Sequence, residues 1–319
     1  MMLPPLSDLL DRLHVVALPM RVRFRGITAR EVALIDGPAG WGEFGAFLEY
    51  EAPEAARWLA AGIESAYAAR PPALRDRVPI NATVPAVGPD QVAGVLARFP
   101  GATTAKVKVA EPGQSLADDV ARVNAVRQLI ATVRVDANGG WTVDQAVAAA
   151  RALSADGPVE YLEQPCRTVA ELAEVRGRVT VPVAADESIR KVEDPLAVAR
   201  AGAADIAVLK VAPLGGVAAM LDIAARIDIP VVVSSALDSA VGIAAGLTAA
   251  AALPNLEHAC GLGTGGLFVE DVADLTPVDG FLPVTTVVPD RDRLSALAVP
   301  ADRRDWWIAR VTDCWAWLR

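Results

Sequence analysis

A chain of 319 residues, 53% of them hydrophobic and with mean hydropathy +0.34, has apolar surface enough for one large core or two smaller ones. Its net charge of −9, with no Lys/Arg run in the acidic background, argues against nucleic acid or an anionic membrane as a partner. Cys166, Cys260 and Cys314 lie far apart and build neither a zinc site nor a disulfide framework, so the expected setting is a reduced cytoplasm. The opening "MMLPPLSDLLDRLHVVALPM" has no basic start followed by an uninterrupted apolar core, and it is not read as a signal peptide. The longest small-apolar run, near "GIAAGLTAAAAL", is too short to span a bilayer.

Residues 1–80 read as a small α+β unit. "RVRFRGITAREVALIDGPAGWGEF" alternates and carries turn signals, as an antiparallel sheet does. "EAPEAARWLAAGIESAYAA" then has helical spacing, with Pro53 near its start. From residue 81 to 275 the pattern changes to short β-branched runs: "VPINATV", "TTAKVKVA", "VRVDANGG", "VEYLEQP", "VPVAADES", "IAVLKVAPLGG", "IPVVVSSA" and "LEHACGLG". Ala-rich stretches with helical spacing lie between them, such as "LADDVARVNAVRQLI" and "VDQAVAAARALS". Eight strands alternating with helices imply parallel βαβ units and suggest a closed barrel. An open doubly wound sheet would favour a glycine fingerprint after the first strand, and "VPINATVPAVG" has none. Residues 276–319 form a C-terminal segment, extended at "VDGFLPVTTVVPD" and closing in a helix. Trp307, Val311, Cys314, Trp315 and Leu318 fall on one face there, read as a core-facing stripe rather than an oligomer interface. The oligomeric state is left open, a monomer included.

Ionisable residues recur where successive barrel strands end: Lys106 and Lys108, Asp136, Glu163, Asp186 with Glu187, and Lys210. From Lys108 onward each step spans one βα unit, so these groups face a common mouth. Lys106 and Lys108, two residues apart on a strand, point to the same side. Three carboxylates in a partly buried site cannot all stay ionised without cations. A divalent metal or lysine–carboxylate ion pairs would each supply them, and oxygen donors without His or Cys favour Mg²⁺ over zinc. Each carboxylate could instead cap the following helix, a reading that weakens when three consecutive strands share the pattern with a lysine at either side. Spacing does not choose between Asp186 and Glu187. Beside a metal and another lysine, the Lys108 ammonium is disfavoured, so Lys108 becomes a candidate acid/base for a proton α to a metal-bound carboxylate. Lys210, across the mouth, reads as a second acid/base or as a cation facing the intermediate. Lys106 reads as a charged neighbour.

"KVK", "DANGGW", "EQP", "ADES" and "LKVAPLGG", in this order and spacing, resemble the enolase superfamily and within it the muconate-lactonizing-enzyme-like subgroup. "GWGE" at 40–43 resembles that superfamily's capping domain. With "FRGIT", "VPINATVP", "TAKVKVAE" and "VVVSSALDSAVGIAAG", the chain is similar to the actinobacterial-type o-succinylbenzoate synthase family. The resemblance implies a (β/α)7β modified TIM barrel with an N-terminal α+β capping domain. It also implies a lyase of menaquinone biosynthesis: Mg²⁺-dependent syn dehydration, with Mn²⁺ as a substitute, of 2-succinyl-6-hydroxy-2,4-cyclohexadiene-1-carboxylate to 2-succinylbenzoate. Lys108 then resembles the lysine that takes the α-proton and protonates the departing hydroxyl, and Lys210 the lysine on the opposite face. Asp136, Glu163 and Asp186 match the metal ligands. Ser234, Ser235, Gly261 and Gly263 match positions that bind the succinyl side chain or its carboxylate, and Arg25 matches a cap-loop contact. "VVVSSA" carries no His, so the His–Asp base of the mandelate-racemase-like subgroup is missing. The same two-lysine site also suits N-succinylamino acid racemization or dipeptide epimerization. More distant alternatives are a Schiff-base aldolase and a non-catalytic barrel.

Overall fold

The structure, a computed structural model, describes residues 3–24, 26–190 and 194–319. Strands β1 (Leu13–Phe24), β2 (Ile27–Gly37) and β3 (Gly40–Phe44) form an antiparallel sheet in that order. Both of its faces are buried, because period-two alternation sends neighbouring side chains into two separate cores. Leu13, Val15, Ala33 and Ile35 pack with helix α1 (Ala52–Tyr67), whereas Val16, Leu18, Val32 and Leu34 join the barrel core. Pro53 occupies the first turn of α1, where its missing N–H costs nothing. In "GWGE", Gly42 lies so close to the backbone of Gly62 on α1 that a Cβ would collide with it. Strand and helix therefore touch backbone to backbone.

Seven parallel strands follow: β4 (Ala82–Val84), β5 (Thr104–Lys108), β6 (Thr132–Asp136), β7 (Leu162–Glu163), β8 (Val183–Ala185), β9 (Ile206–Leu209) and β10 (Val231–Val233), each beside its predecessor. The eighth run, "LEHACGLG", is not a regular strand. Cys260 and Gly261 nonetheless bridge the two free edges: Asn81 N–H donates to Cys260 O at 2.9 Å and Gly261 N–H to Val233 O at 2.8 Å. The curled sheet is thereby closed. A Cβ at Gly261 would collide with Ser234 Oγ, which is why this closure needs glycine.

Helices α2 (Leu116–Arg127), α3 (Val143–Ser154) and α4 (Val169–Arg178) start in capping boxes, Ser115 with Asp118, Thr142 with Gln145 and Thr168 with Glu171. Helix α5 (Ala240–Ala252) is capped by Ser239. Near the C-terminus, Phe281–Pro283 pairs antiparallel with Arg77–Pro79. Helix α6 (Ala301–Ala316) then buries Trp307, Val311 and Cys314 against the α1 side of the cap, with Trp315 and Leu318 partly buried beside them. All three cysteines are buried and unpaired. Among the described residues, no helix is long and apolar enough to cross a membrane.

Candidate active site

Strand register places the charges. Lys108 lies beside Asp136 and Asp136 beside Glu163, so these residues occupy one rung at the strand ends. One rung below, Thr83 neighbours Lys106 and Lys106 neighbours Arg134. Lys108 Nζ donates to Asp136 Oδ2 at 2.5 Å and to Asn138 Oδ1 at 2.7 Å. Lys106 Nζ reaches Glu163 Oε1 at 2.8 Å and stands 3.5 Å from Asp136. Lys210 Nζ donates to Asp186 Oδ2 at 2.5 Å, and Arg190 Nε to Asp186 Oδ1 at 3.0 Å. None of the three carboxylates serves as the side-chain cap of a helix. Ser115, Thr142 and Thr168 fill that role after β5, β6 and β7, and Asp186 is spent on Lys210 and Arg190.

The electrostatics are mutually dependent. Burial by itself would raise Asp136 and Asp186; the ammoniums of Lys108 and Lys106 override it at Asp136, and Arg190 and Lys210 override it at Asp186. Both carboxyls are held below their ordinary range. Glu163 goes the other way: burial, reinforced by Asp136 and Asp186, pushes it up to about 7 against the pull of Lys106 and Lys210. Lys106, read as a charged neighbour, is paired with carboxylates. Burial would lower it, but Glu163 and Asp136 hold it above the ordinary lysine value. Carboxylates at contact distance outweigh a like charge farther off.

Among the described residues, no three Asp, Glu, His or Cys side chains converge closely enough to hold a metal ion, since lysine ammoniums stand between the carboxylates. The donor set is nevertheless one a hard divalent cation selects: buried oxygens on adjacent strands, with Glu163 carrying more negative charge around it than its lysines offset. Glu187, the alternative to Asp186, turns to Arg190 and Asn138 instead.

A cavity of about 30 Å³ opens at this point, lined by Lys106, Lys108, Asp136, Lys210, Ser234, Ser235 and Gly261 among the expected residues. Phe24, Thr83, Asn138, Leu237 and Thr264 line it too, and sequence reasoning missed them. Asn138 stood inside "DANGGW" and Thr83 inside "VPINATVP", so proximity to a quoted motif was the available signal. Phe24 likewise opened "FRGIT" and Leu237 lay inside "VVVSSALDSAVGIAAG". The Phe24 ring lies 5.5 Å from Lys108 Nζ, a cap residue over a barrel charge. Thr83 Oγ1 is buried without a hydrogen-bond partner. Ser235 Oγ and Thr264 Oγ1 are 2.7 Å apart. Gly263 does not join this cavity; it faces a neighbouring one, tight against Asn81 O and Ile80. Arg25 lies outside the described residues.

Four non-glycine residues just beyond strand ends, Ala110, Asn138, Gln164 and Leu237, have positive φ, a costly conformation that redirects the chain around the mouth. Two cap residues grip the last of these turns. Arg30 Nε donates to Leu237 O at 3.1 Å, and Glu43 accepts from Ser239 N–H at 3.0 Å and Gly242 N–H at 3.2 Å.

Residues 15–66 match the family described as Enolase N-terminal domain-like, and residues 91–289 match Enolase C-terminal domain-like. The chain is 76% identical over 317 residues to a protein named o-succinylbenzoate synthase in Mycobacterium tuberculosis strain H37Rv, covering 99% of this chain and 97% of that protein. A protein of the same name in Mycolicibacterium smegmatis is 75% identical, covering 98% of each chain. Among solved structures, muconate lactonizing enzyme from Pseudomonas fluorescens, complexed with muconolactone, superposes with a TM-score of 0.76 at 23% identity, covering 90% of this chain and 98% of that one. The fold and the sequence therefore agree: this chain belongs to the enolase superfamily and, within it, to the o-succinylbenzoate synthase family.

Proposed function

We propose that this protein is a hydro-lyase that dehydrates 2-succinyl-6-hydroxy-2,4-cyclohexadiene-1-carboxylate to 2-succinylbenzoate, a step of menaquinone biosynthesis, in the cytoplasm. The observation that carries the reading is the pairing of Lys108 and Lys210 with Asp136 and Asp186 at a cavity bounded by strands on both sides of the mouth. The mycobacterial relatives named o-succinylbenzoate synthase support it. The working division of the chain is a cap over 1–80, a barrel over 81–275 and a returning segment over 276–319.

Charge balance supports a divalent cation with a dianionic substrate. Lys106, Lys108, Lys210 and Arg190 oppose Asp136, Glu163, Asp186 and Glu187, so the side chains cancel. A divalent ion adds two positive charges, matched by the two carboxylates of the proposed substrate. Asp136, Glu163 and Asp186 are the proposed ligands of Mg²⁺, with Mn²⁺ as a substitute. When bound, the ion supplies positive charge at the substrate carboxylate while the neighbouring carbon loses its proton, a stabilisation of several kcal/mol.

The remaining work falls to the side chains. With Asp136 engaged elsewhere, the Lys108 ammonium loses its nearest partner and releases its proton more readily. Neutral Lys108 Nζ takes the α-proton, and the same Nζ–H then protonates the departing hydroxyl on the same face. One C–H and one C–O bond break, a ring double bond forms, and water leaves. Lys210 stays protonated on the opposite face and balances charge delocalised into the ring. Ser234, Ser235, Gly261 and the Thr83 hydroxyl bind the polar groups of the substrate, and Phe24 excludes water from above. Gly263 shapes the backbone behind them, and Arg25 is a proposed cap-loop contact.

The test is conversion of the cyclohexadiene carboxylate by purified protein with Mg²⁺. EDTA should abolish the rate and Mg²⁺ restore it; an unaffected rate sinks the metal role. Independently of turnover, Mg²⁺ should raise the Tm of the wild type and not of Asp136→Asn. The two-lysine geometry also supports a second reading, racemization of N-succinylamino acids or epimerization of dipeptides. Deuterium exchange at the α-carbon of an N-succinylamino acid, lost in Lys210→Ala, would carry that reading.

A further inference from the structure

A second cavity, of about 270 Å³, lies on the far side of the loop that carries Gly263 and Thr264. Arg21 from β1 and Arg98, which precedes the barrel's second strand, line it together with Gly265 and Gly266. Arg98 Nη1 is buried and has no hydrogen-bond partner. Arg21 makes one hydrogen bond, from Nη2 to Val269 O at 3.2 Å, and neither arginine has a carboxylate in ion-pair contact among the described residues. The two guanidiniums are close enough that, after burial, Arg21 is the second influence making the Arg98 charge less favourable.

The acids at the wall have partners of their own or are exposed to solvent. Asp271 accepts Ala240 N–H at 3.0 Å and Val272 N–H at 2.7 Å, and Asp274 holds Arg293 at 2.8 Å. Glu270 is exposed at the rim. Two unneutralised guanidiniums beside the open backbone of Gly265 form a receptor for an anion with oxygens on more than one side.

We propose that this cavity binds a small dianion, a phosphate or a dicarboxylate, clamped between Arg21 of the cap and Arg98 of the barrel. The place has consequences. Arg21 precedes Phe24 on the strand that lies over Lys108, and the loop behind the cavity continues into Thr264, which meets Ser235 in the active site. Cap and loop already touch here, through Val269 N–H donating to Pro19 O at 2.7 Å and the Met20–Phe268 bridge. A bound dianion therefore braces the closed cap from outside the catalytic cavity.

The experiment titrates the substrate-free protein with inorganic phosphate or with succinate, against chloride at matched ionic strength, and follows Tm and heat of binding. The wild type should gain about 2 °C once the free dianion exceeds its Kd tenfold. Arg98→Gln and Arg21→Gln should each weaken binding roughly tenfold, the loss expected for one charge-assisted contact. In chloride, Arg98→Gln should melt no lower than the wild type, since its Nη1 gives up no bond. A response to phosphate alone assigns the site to phosphorylated ligands, and one to succinate alone assigns it to carboxylates; either supports a dianion site. A shift of undiminished size and midpoint in Arg98→Gln, as binding in the catalytic cavity would give, overturns the proposal. So does no shift with either anion. Turnover is not measured, so this result stands apart from the outcome of the dehydration assay.

Discussion

The barrel holds two buried ionic networks, one at its mouth and one at its floor, built from similar side chains. At the floor, Arg134 donates to Glu160 Oε2 at 2.7 Å, to the Tyr161 hydroxyl at 2.8 Å and to Ala259 O at 2.8 Å. His258 Nδ1 closes the group on Glu160 at 2.9 Å. Here partners agree: burial would raise Glu160, and His258 and Arg134 together hold it below its ordinary range. At the mouth they conflict. Asp136 is held low while Glu163, on the same rung, is pushed up to about 7. The mouth also opens onto a cavity with an unpartnered hydroxyl at Thr83. Buried charge alone is thus no sign of function; a network of agreeing charges is architecture, whereas conflicting charges beside a cavity are poised for chemistry.

Substitutions should separate the two networks. Lys108→Ala should cost roughly 10²–10⁴-fold in kcat of the folded fraction, the range for a lost general acid/base, with some fall in Tm because buried Asp136 keeps only Lys106; retained turnover would remove Lys108 from the mechanism. Arg134→Met at the floor should do the reverse. It leaves Glu160 with only His258, and a loss of roughly 3–5 kcal/mol in denaturant unfolding is expected for a broken buried pair. The kcat of the folded fraction should stay near that of the wild type; an equal collapse of activity would merge the two networks into one. Thr83→Val tests the edge of the mouth. Because its hydroxyl has no partner in the protein, stability should hold, and KM should rise by roughly tenfold if that group binds substrate.

The smallest effect concerns the cap. Burial first, then Asp238, raises Glu43 to about 8 from an ordinary value of about 4.5. The folded protein therefore binds this proton more tightly than the unfolded chain. The stability that Glu43 contributes is fully present below its unfolded pKa and is lost as pH rises through about 8. Between those limits the wild-type Tm should fall with a steeper slope than that of Glu43→Gln. Parallel slopes would mean that Glu43 is ionised throughout.

Much of the architecture was legible because it depends on local rules. The step of one βα unit between ionisable strand ends follows from chain geometry, and the stripe of Trp307, Val311 and Cys314 follows from helical period. Pro53 marked the start of α1 for a reason confined to one helical turn. The eighth strand was legible only as "LEHACGLG", a short run in the place where one more strand was expected. Its reduction to two bridging residues depends on the close approach of Gly261 to Ser234, a contact between segments far apart in the chain.

The site divides along the same line. By itself the sequence determined which charges share a face, since alternation along "AKVKVA" and repetition along the barrel are properties of the backbone. Tertiary structure alone decided their partners: Lys106 against Glu163, Lys108 against Asp136, and Lys210 with Arg190 against Asp186. It also placed Phe24 and Leu237 at the cavity and turned Gly263 away from it. The physical reason is distance. Periodicity acts over a few residues, whereas burial, pairing and pKa depend on atoms a few ångströms apart that the chain brings together only when it closes.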